Sequence, residues 1–339
     1  MSGERVTNRG YHRLVVLTAF LAFVVVILGA YTRLSDAGLG CPDWPGCYGR
    51  LIVPAGEHEV ADKAYLEQRP LEPHKGWYEM IHRYFAGTLG LAILAIAVWS
   101  WVRRREPGQP VWLPLSLFGL VVFQALLGMW TVTLQLKPVV VMAHLLGGMS
   151  TLALLVLLAL RTSPRRRLAA PPAAARRRWR GFAAAALLVL VGQIALGGWT
   201  SANYAALACP DFPTCQGSWW PDADFREGFV LWRGLGVNYE FGVLDSRART
   251  AVHLTHRVGA VVTLLVLGAL ALGLIRTRTG PLATTGWLVG GLLIAQILLG
   301  IGNVVMFLPL GVAVAHNATA ALLLLSLVRL NFQLWQRQH

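Results

Sequence analysis

Residues 76–99 read GWYEMIHRYFAGTLGLAILAIAVW. From Tyr84 onward the run carries no charge, and at 1.5 Å per residue it is long enough to cross the hydrocarbon of a bilayer as a helix. The stretch therefore predicts a membrane span, and the fold follows from how many such runs the chain holds. It also sets Glu79, His82 and Arg83 at the mouth of the span, where ionisable groups are costly and by default serve function.

Eight apolar runs of about 20 residues are present, at roughly 14–33, 78–101, 112–134, 138–160, 181–203, 249–275, 284–307 and 309–329. The 339 residues are 55% hydrophobic and 14% charged, with mean hydropathy +0.54, outside the range of ordinary soluble domains. The expectation is an all-α polytopic membrane protein. The first run lacks a small-x-small cleavage site after a short apolar core, so it reads as a retained helix, not a signal peptide.

The net charge of +14 is topological. Arg5, Arg9 and Arg13 precede the first run, and Arg103, Arg104 and Arg105 follow the second. Arg161, Arg165, Arg166, Arg167, Arg176, Arg177, Arg178 and Arg180 fill the connection between the fourth and fifth. Arg276 and Arg278 follow the sixth, and Arg329 and Arg337 close the chain. With eight spans all of these lie on one side, and the opposite loops hold more acids than bases. The positive-inside rule makes both termini cytoplasmic and puts loops 34–77 and 204–248 outside. The basicity is directed at the membrane and its lipids; no nucleic-acid partner is expected.

Those outer loops contain all four cysteines, in CPDWPGC (41–47) and CPDFPTC (209–215). An even count on an oxidising face favours two disulfides. Of three pairings, the local ones, Cys41–Cys47 and Cys209–Cys215, are preferred because each pair brackets a proline-bearing turn. The spacing is not that of a C-x-x-C redox motif, so the preferred role is a structural staple, with redox activity as the alternative.

The cysteine motifs belong to a longer internal repeat. GAYTRLSDAGLGCPDWPGCYG from Gly29 matches GGWTSANYAALACPDFPTCQG from Gly197, and IHRYFAG from Ile81 matches THRVGAV from Thr255. QALLG from Gln124 matches QILLG from Gln296, each glutamine standing 20 residues before a histidine, His144 or His316. The chain divides into an N-terminal half (1–160), a basic cytoplasmic linker (161–180) and a C-terminal half (181–339). An even number of spans per half gives both the same orientation, so two four-helix bundles related by a pseudo-twofold axis along the membrane normal are expected.

The repeat places one histidine on each even-numbered span, His82, His144, His256 and His316, all near the outer ends. Two imidazoles from opposing helices at one depth can supply both axial ligands of a planar metal macrocycle. This predicts two bis-histidine heme sites; zinc is disfavoured because neither pair has further ligands at structural-site spacing. Glycines after the ligands, in AGTLG (86–90) and at 147–148, are candidate heme walls or ordinary helix packing.

With these residues in view, the chain resembles the heme A synthase family, bacterial-type inner-membrane enzymes that convert heme O to heme A for terminal oxidases. The resemblance is carried by GLGCPDWPGCYGRLIVP (38–54), EMIHR (79–83), MAHLLGG (142–148), ACPDFPTCQGSWWP (208–221), THRVGA (255–260) and VAHNATA (314–320). It implies that His82 and His144 receive the substrate heme and that His256 and His316 hold a permanent heme b. It further implies oxidation of a heme O methyl through hydroxymethyl to formyl, electrons leaving through heme b to an acceptor outside the chain. Heme O synthase and terminal oxidase assembly factors are the implied protein partners.

Superposing the halves sets Glu79 on His253, each three residues before a ligand and on its helical face. A carboxylate in one half and an imidazole in the other suits chemistry in the first half only, with Glu79 handling protons and His253 a hydrogen-bonding neighbour. A helix-end acid held by the macrodipole is the alternative for Glu79. Arg83 and Arg257, directly after ligands, are candidate partners for heme propionates or for local ion pairs. A bis-histidine iron has no open position, which favours electron removal through the iron with water trapping the oxidised carbon; ligand exchange stays open. The rival reading is a di-heme cytochrome b-like quinol oxidoreductase, which explains the histidines and the pseudo-twofold equally well but the Glu79/His253 difference less well. A parallel-repeat transporter is the third class.

Overall fold

The computed structural model describes residues 8–163, 171–277 and 280–336; Arg5, Arg165, Arg166, Arg167, Arg278 and Arg337 lie outside the described residues. Eight helices there are long and apolar enough to cross a membrane, making the chain an integral membrane protein. They are α1 (Arg9–Leu34), α2 (Pro73–Val102), α3 (Trp112–Thr133) and α4 (Pro138–Thr162), then α5 (Ala173–Ala202), α6 (Ser246–Arg276), α7 (Gly280–Val305) and α8 (Leu310–Trp335). Among the described residues there is no strand, only isolated bridges Cys47↔Arg50 and Cys215↔Ser218.

Local chemistry sets the ends. Asn8 caps α1 by accepting from the N–H groups of Gly10 and Tyr11 at 2.9 and 3.2 Å, and Asp245 caps α6 through Ala248 N–H at 2.8 Å. Prolines open α2 and α4, where a missing N–H costs nothing. α5 starts inside the segment assigned to the linker, so Arg176, Arg177, Arg178 and Arg180 are helical. Arginine is a good helix former, and its long stem carries the charge away from the apolar core. Arg180 lies 5.0 Å from the Trp335 ring and Arg176 donates to the carbonyl of Gln336 at 2.5 Å, tying the start of α5 to the end of α8.

α1–α4 pack in a ring, each on the next and α4 back on α1; α5–α8 do the same. α2 and α4 are therefore diagonal across one bundle, and α6 and α8 across the other. The bundles meet through α4 on α5, α1 on α8 and α4 on α8. Carrying each helix onto its counterpart turns the first of these contacts into the second, in keeping with the expected twofold relation. Close approach relies on small residues, since lipid supplies no hydrophobic drive between helices: a Cβ on Gly198 of α5 would stand 2.8 Å from Leu145 of α4.

The repeat extends to the backbone. Left-handed pairs Gln135–Leu136 and Phe307–Leu308 turn α3 into α4 and α7 into α8. Asp36 and Tyr48 have left-handed counterparts in Tyr204 and Gln216, and cis prolines follow Trp44 and Phe212. Both disulfides are the local ones, Cys41–Cys47 and Cys209–Cys215. The loops also cross between halves. Tyr239 N–H donates to the carbonyl of Gln135 at 3.0 Å, and Lys137 donates to the carbonyl of Gly234 and lies 3.3 Å from the Trp232 ring centroid. Arg69 makes a two-pronged ion pair with Glu240, at 2.9 and 2.7 Å. Arg33 reaches the carbonyl of Ser201 at 2.6 Å.

Candidate functional site

The four histidines occupy repeated places. His82 stands nine residues after the first residue of α2 and His256 ten after that of α6, while His144 and His316 each stand six into α4 and α8. Because α2 and α4 are diagonal, His82 and His144 face each other across the first bundle, ring centroids 6.5 Å apart and planes at 87°. His256 and His316 face the interior of the second and are near enough to interact electrostatically.

Behind every ring lies a glycine of the preceding helix. A Cβ would stand 2.9 Å from Cε1 of His82 if built on Gly29, 3.4 Å from that of His144 on Gly128, and 3.2 Å from those of His256 and His316 on Gly197 and Gly300. These are the glycines that shape the sites. Gly87 and Gly90, candidate walls by sequence, have nothing within 4 Å of a built Cβ, and Gly147 instead abuts Gln124.

The glutamines are a second set that sequence reading saw only as a repeat. Gln124 Nε2 donates to the carbonyl of His144 at 2.9 Å, Gln193 Nε2 to that of His256 at 3.0 Å while lying 3.1 Å from its Nδ1, and Gln296 Nε2 lies 3.2 Å from Nε2 of His316. Gln193 was missed; its signal is QIALG (193–197), which shares the Gln-to-Gly spacing of QALLG and QILLG.

Glu79 and His253 are both 4% exposed and do the same architectural work. Glu79 Oε2 accepts from Cys41 N–H at 2.9 Å and Oε1 pairs with Arg83 at 2.5 Å. His253 Nδ1 accepts from Cys209 N–H at 3.1 Å and Nε2 from Arg257 Nε at 3.3 Å. Arg83 also donates to the carbonyls of Asp43 (3.0 Å), Pro45 (3.2 Å) and Gly46. Arg257 donates to those of Thr214 (2.7 Å), Cys209 (2.9 Å) and Asp211 (2.8 Å). Each arginine thus straps the disulfide loop onto the helix carrying His82 or His256. The Glu79/His253 difference is one of chemistry within a shared scaffold.

The loops are closed by an aspartate. Asp43 accepts from the N–H groups of Tyr48 and Gly49, at 2.6 and 3.0 Å. Asp211 accepts from those of Gln216 and Gly217, at 2.5 and 3.0 Å, and from the Thr214 hydroxyl at 2.5 Å. The Thr214 hydroxyl, then Gly217 N–H, hold the Asp211 carboxyl down at about 2. Burial pushes the Tyr48 phenol up to about 12, and its hydroxyl donates to the carbonyl of Pro70 at 2.8 Å.

The residues fit a heme. Two imidazoles sharing one metal through ~2 Å bonds would have ring centroids about 6 Å apart, close to the 6.5 Å of His82 and His144. Nδ1 of His82, His144 and His316 is buried without a hydrogen-bond partner, and the glycines leave the rings unobstructed from behind. Among the described residues no group of three or more His, Cys, Asp or Glu is placed to hold a metal ion by itself.

Fold and site together define a polytopic membrane protein with opposed histidines inside its helical bundles. The chain belongs to the COX15-CtaA family, described as cytochrome oxidase assembly protein, which matches residues 12–328. It is similar to the heme A synthase of Shewanella oneidensis, 49% identical over 95% of this chain and 96% of that protein. The heme A synthases of Caulobacter vibrioides (30% identity, 91% of each chain) and Shouchella clausii (26%, 80% of this chain and 78% of the relative) are also similar.

Proposed function

We propose that the chain is a heme A synthase, oxidising the heme O methyl to hydroxymethyl and then formyl. The observation that carries this is the opposed pair His82 and His144, spaced for one shared iron, in a chain resembling heme A synthases over nearly its whole length. The N-terminal half takes the substrate and the C-terminal half holds heme b on His256 and His316. When bound, heme b supplies a one-electron relay for electrons leaving the substrate toward an external acceptor. Both termini face the cytoplasm of a bacterial-type inner membrane, as the arginines at the inner helix ends favour.

Each two-electron oxidation releases protons, and Glu79, one turn from His82, is the carboxylate positioned to take them. His253 has no such duty and only holds its loop. For Arg83 and Arg257 to meet heme propionates, each exchanges a loop carbonyl for a charged acceptor, a stronger hydrogen bond.

Glu79→His tests this, because His253 already makes the same loop contacts in the other half. The variant should fold and bind heme yet accumulate heme O or the hydroxymethyl intermediate, its rate down about 10²- to 10⁴-fold. Wild-type heme A yield on extraction would sink the proton role. His256→Ala and His316→Ala should each lower heme b content; full retention in both would remove the heme b assignment.

A further inference from the structure

The two bundles differ along one seam. α2 packs less extensively on α3 than its counterpart α6 does on α7, and the residues at the seam account for this. Near the inner end of the second bundle, a Cβ built on Gly286 of α7 would stand 2.8 Å from the carbonyl of Ala271 on α6, and one on Gly290 would stand 3.7 Å from the Ala271 Cβ. Glycines of this kind let two helix backbones touch. In the first bundle Gly286 and Gly290 are replaced by Pro114 and Phe118, and Gly268 of α6 by Leu94, so bulk wedges the inner end. Toward the histidines the sizes reverse: where the second bundle has Val261, Leu264 and Ile297, the first has Gly87, Gly90 and Ala125.

These three small residues border a gap. Ala97 is the counterpart of Ala271, so its face of α2 looks at α3, and Gly90 stands seven residues before it, two turns along that face. Ala125 stands eleven residues after Pro114, three turns along the face of α3 turned to α2. Yet a Cβ on Gly90, or on Gly87 at its side, would meet nothing within 4 Å. At 1.5 Å per residue the two glycines lie about 7.5 and 12 Å deeper than His82. The gap therefore begins just below the facing imidazoles of His82 and His144, whose Nδ1 atoms are buried without a partner.

Heme O differs from heme b in carrying a long isoprenoid chain on its ring. The charged carboxylates of a heme favour the outer water that the histidines lie near, and the chain, on the edge away from them, points toward the bilayer centre. Lipid solvates such a chain as well as apolar protein does, so the bundle has to give it passage, not affinity. We propose that the slot between α2 and α3 is that passage. The ring of heme O sits between His82 and His144 while its chain runs out sideways into the acyl chains. The second bundle, whose seam is filled by Leu264 and its neighbours, accepts a heme that has no such chain. Gly87, Gly90 and Ala125 are then the residues that tell the two hemes apart. This rests on reading the first bundle as the heme O site.

The test uses the whole purified protein, carrying heme b in its second bundle, titrated with heme O or with further heme b and followed by heme absorption. The wild type should take up either at the first bundle. Gly90→Leu installs the side chain of the second bundle in open space; a triple variant adds Gly87→Val and Ala125→Ile. Both should bind heme O about tenfold or more weakly and take up heme b as the wild type does, which also shows that they are folded. The single variant carries the test should the triple one fail to fold. Heme O binding that is unchanged in the variants but abolished by His82→Ala would overturn the slot alone, as would equal weakening of heme O and heme b. Heme O uptake indifferent to His82→Ala and His144→Ala would overturn the substrate-site reading and the inference with it.

Discussion

One methyl group separates glycine from alanine, and at four positions the imidazole rings meet that difference directly. A built Cβ stands 2.9 Å from the ring at Gly29 but 3.4 Å at Gly128; the first is a clash that must rotate His82, the second ordinary contact. On the proposed assignment, Gly29→Ala should therefore lose most of the heme of the first bundle, Gly197→Ala and Gly300→Ala part of that of the second, and Gly128→Ala little, measured as heme per protein after purification. Equal loss at Gly29 and Gly128 would remove the steric account. The histidines were legible in the sequence because four costly side chains recur in duplicated register. The glycines behind them were not, since glycine is abundant in membrane helices and which one faces a ring depends on the neighbouring helix. Sequence reading offered Gly87 and Gly90, on the same helix as His82, as candidate walls or ordinary helix packing, and both border open space.

At the scale of elements, each disulfide loop is fastened by its cysteines, by the aspartate that gathers its N–H groups, and by two side chains of the following helix, Glu79 with Arg83 or His253 with Arg257. Asp211 gives this a pH dependence. Its folded pKa, about 2, lies below the ordinary 3.8, so its stabilising contribution is complete above pH 4 and is lost as pH falls from about 4 toward 2. Loop 209–217 should become reactive to proteases in that window, and Asp211→Asn should make it so at neutral pH; a loop indifferent to both would show that the disulfide and Arg257 suffice. Reducing either disulfide, which closes a loop of seven residues, should cost about 2 kcal/mol by chain entropy. Helix number and order were readable because a span requires an unbroken apolar run. The ends were less so: α2 begins at Pro73 and α5 at Ala173, both within polar sequence, where capping and arginine stems, not hydropathy, decide where a helix starts.

At the scale of the molecule, the halves were visible in the sequence as repeats, whereas the fastening of their outer loops was less so, because the contacts through Trp232, Gly234, Tyr239 and Glu240 lie in the non-repeated part of the second outer loop. Arg69 and Glu240, 15% and 11% exposed, form the strongest of these ties, and Glu240 holds the Arg69 proton more tightly than usual. Arg69→Ala leaves a half-buried carboxylate unpaired and should cost about 1–3 kcal/mol, while Arg69→Met with Glu240→Leu should recover most of it, read from thermal loss of the heme absorption. No recovery in the double variant would mean the pair does more than neutralise itself. The same crossing imposes an order on biosynthesis. Lys137 finds its carbonyl 97 residues later in the chain and Arg69 its carboxylate 171 residues later. A ribosome that has delivered four complete helices to the membrane has made a bundle with both histidines and no finished roof, and only the fifth helix and the loop after it complete the outer surface of the first half. The outer surface of the first half is therefore finished only when residues 234 and 240 have been delivered, so the duplicated halves are synthesised in sequence but closed together.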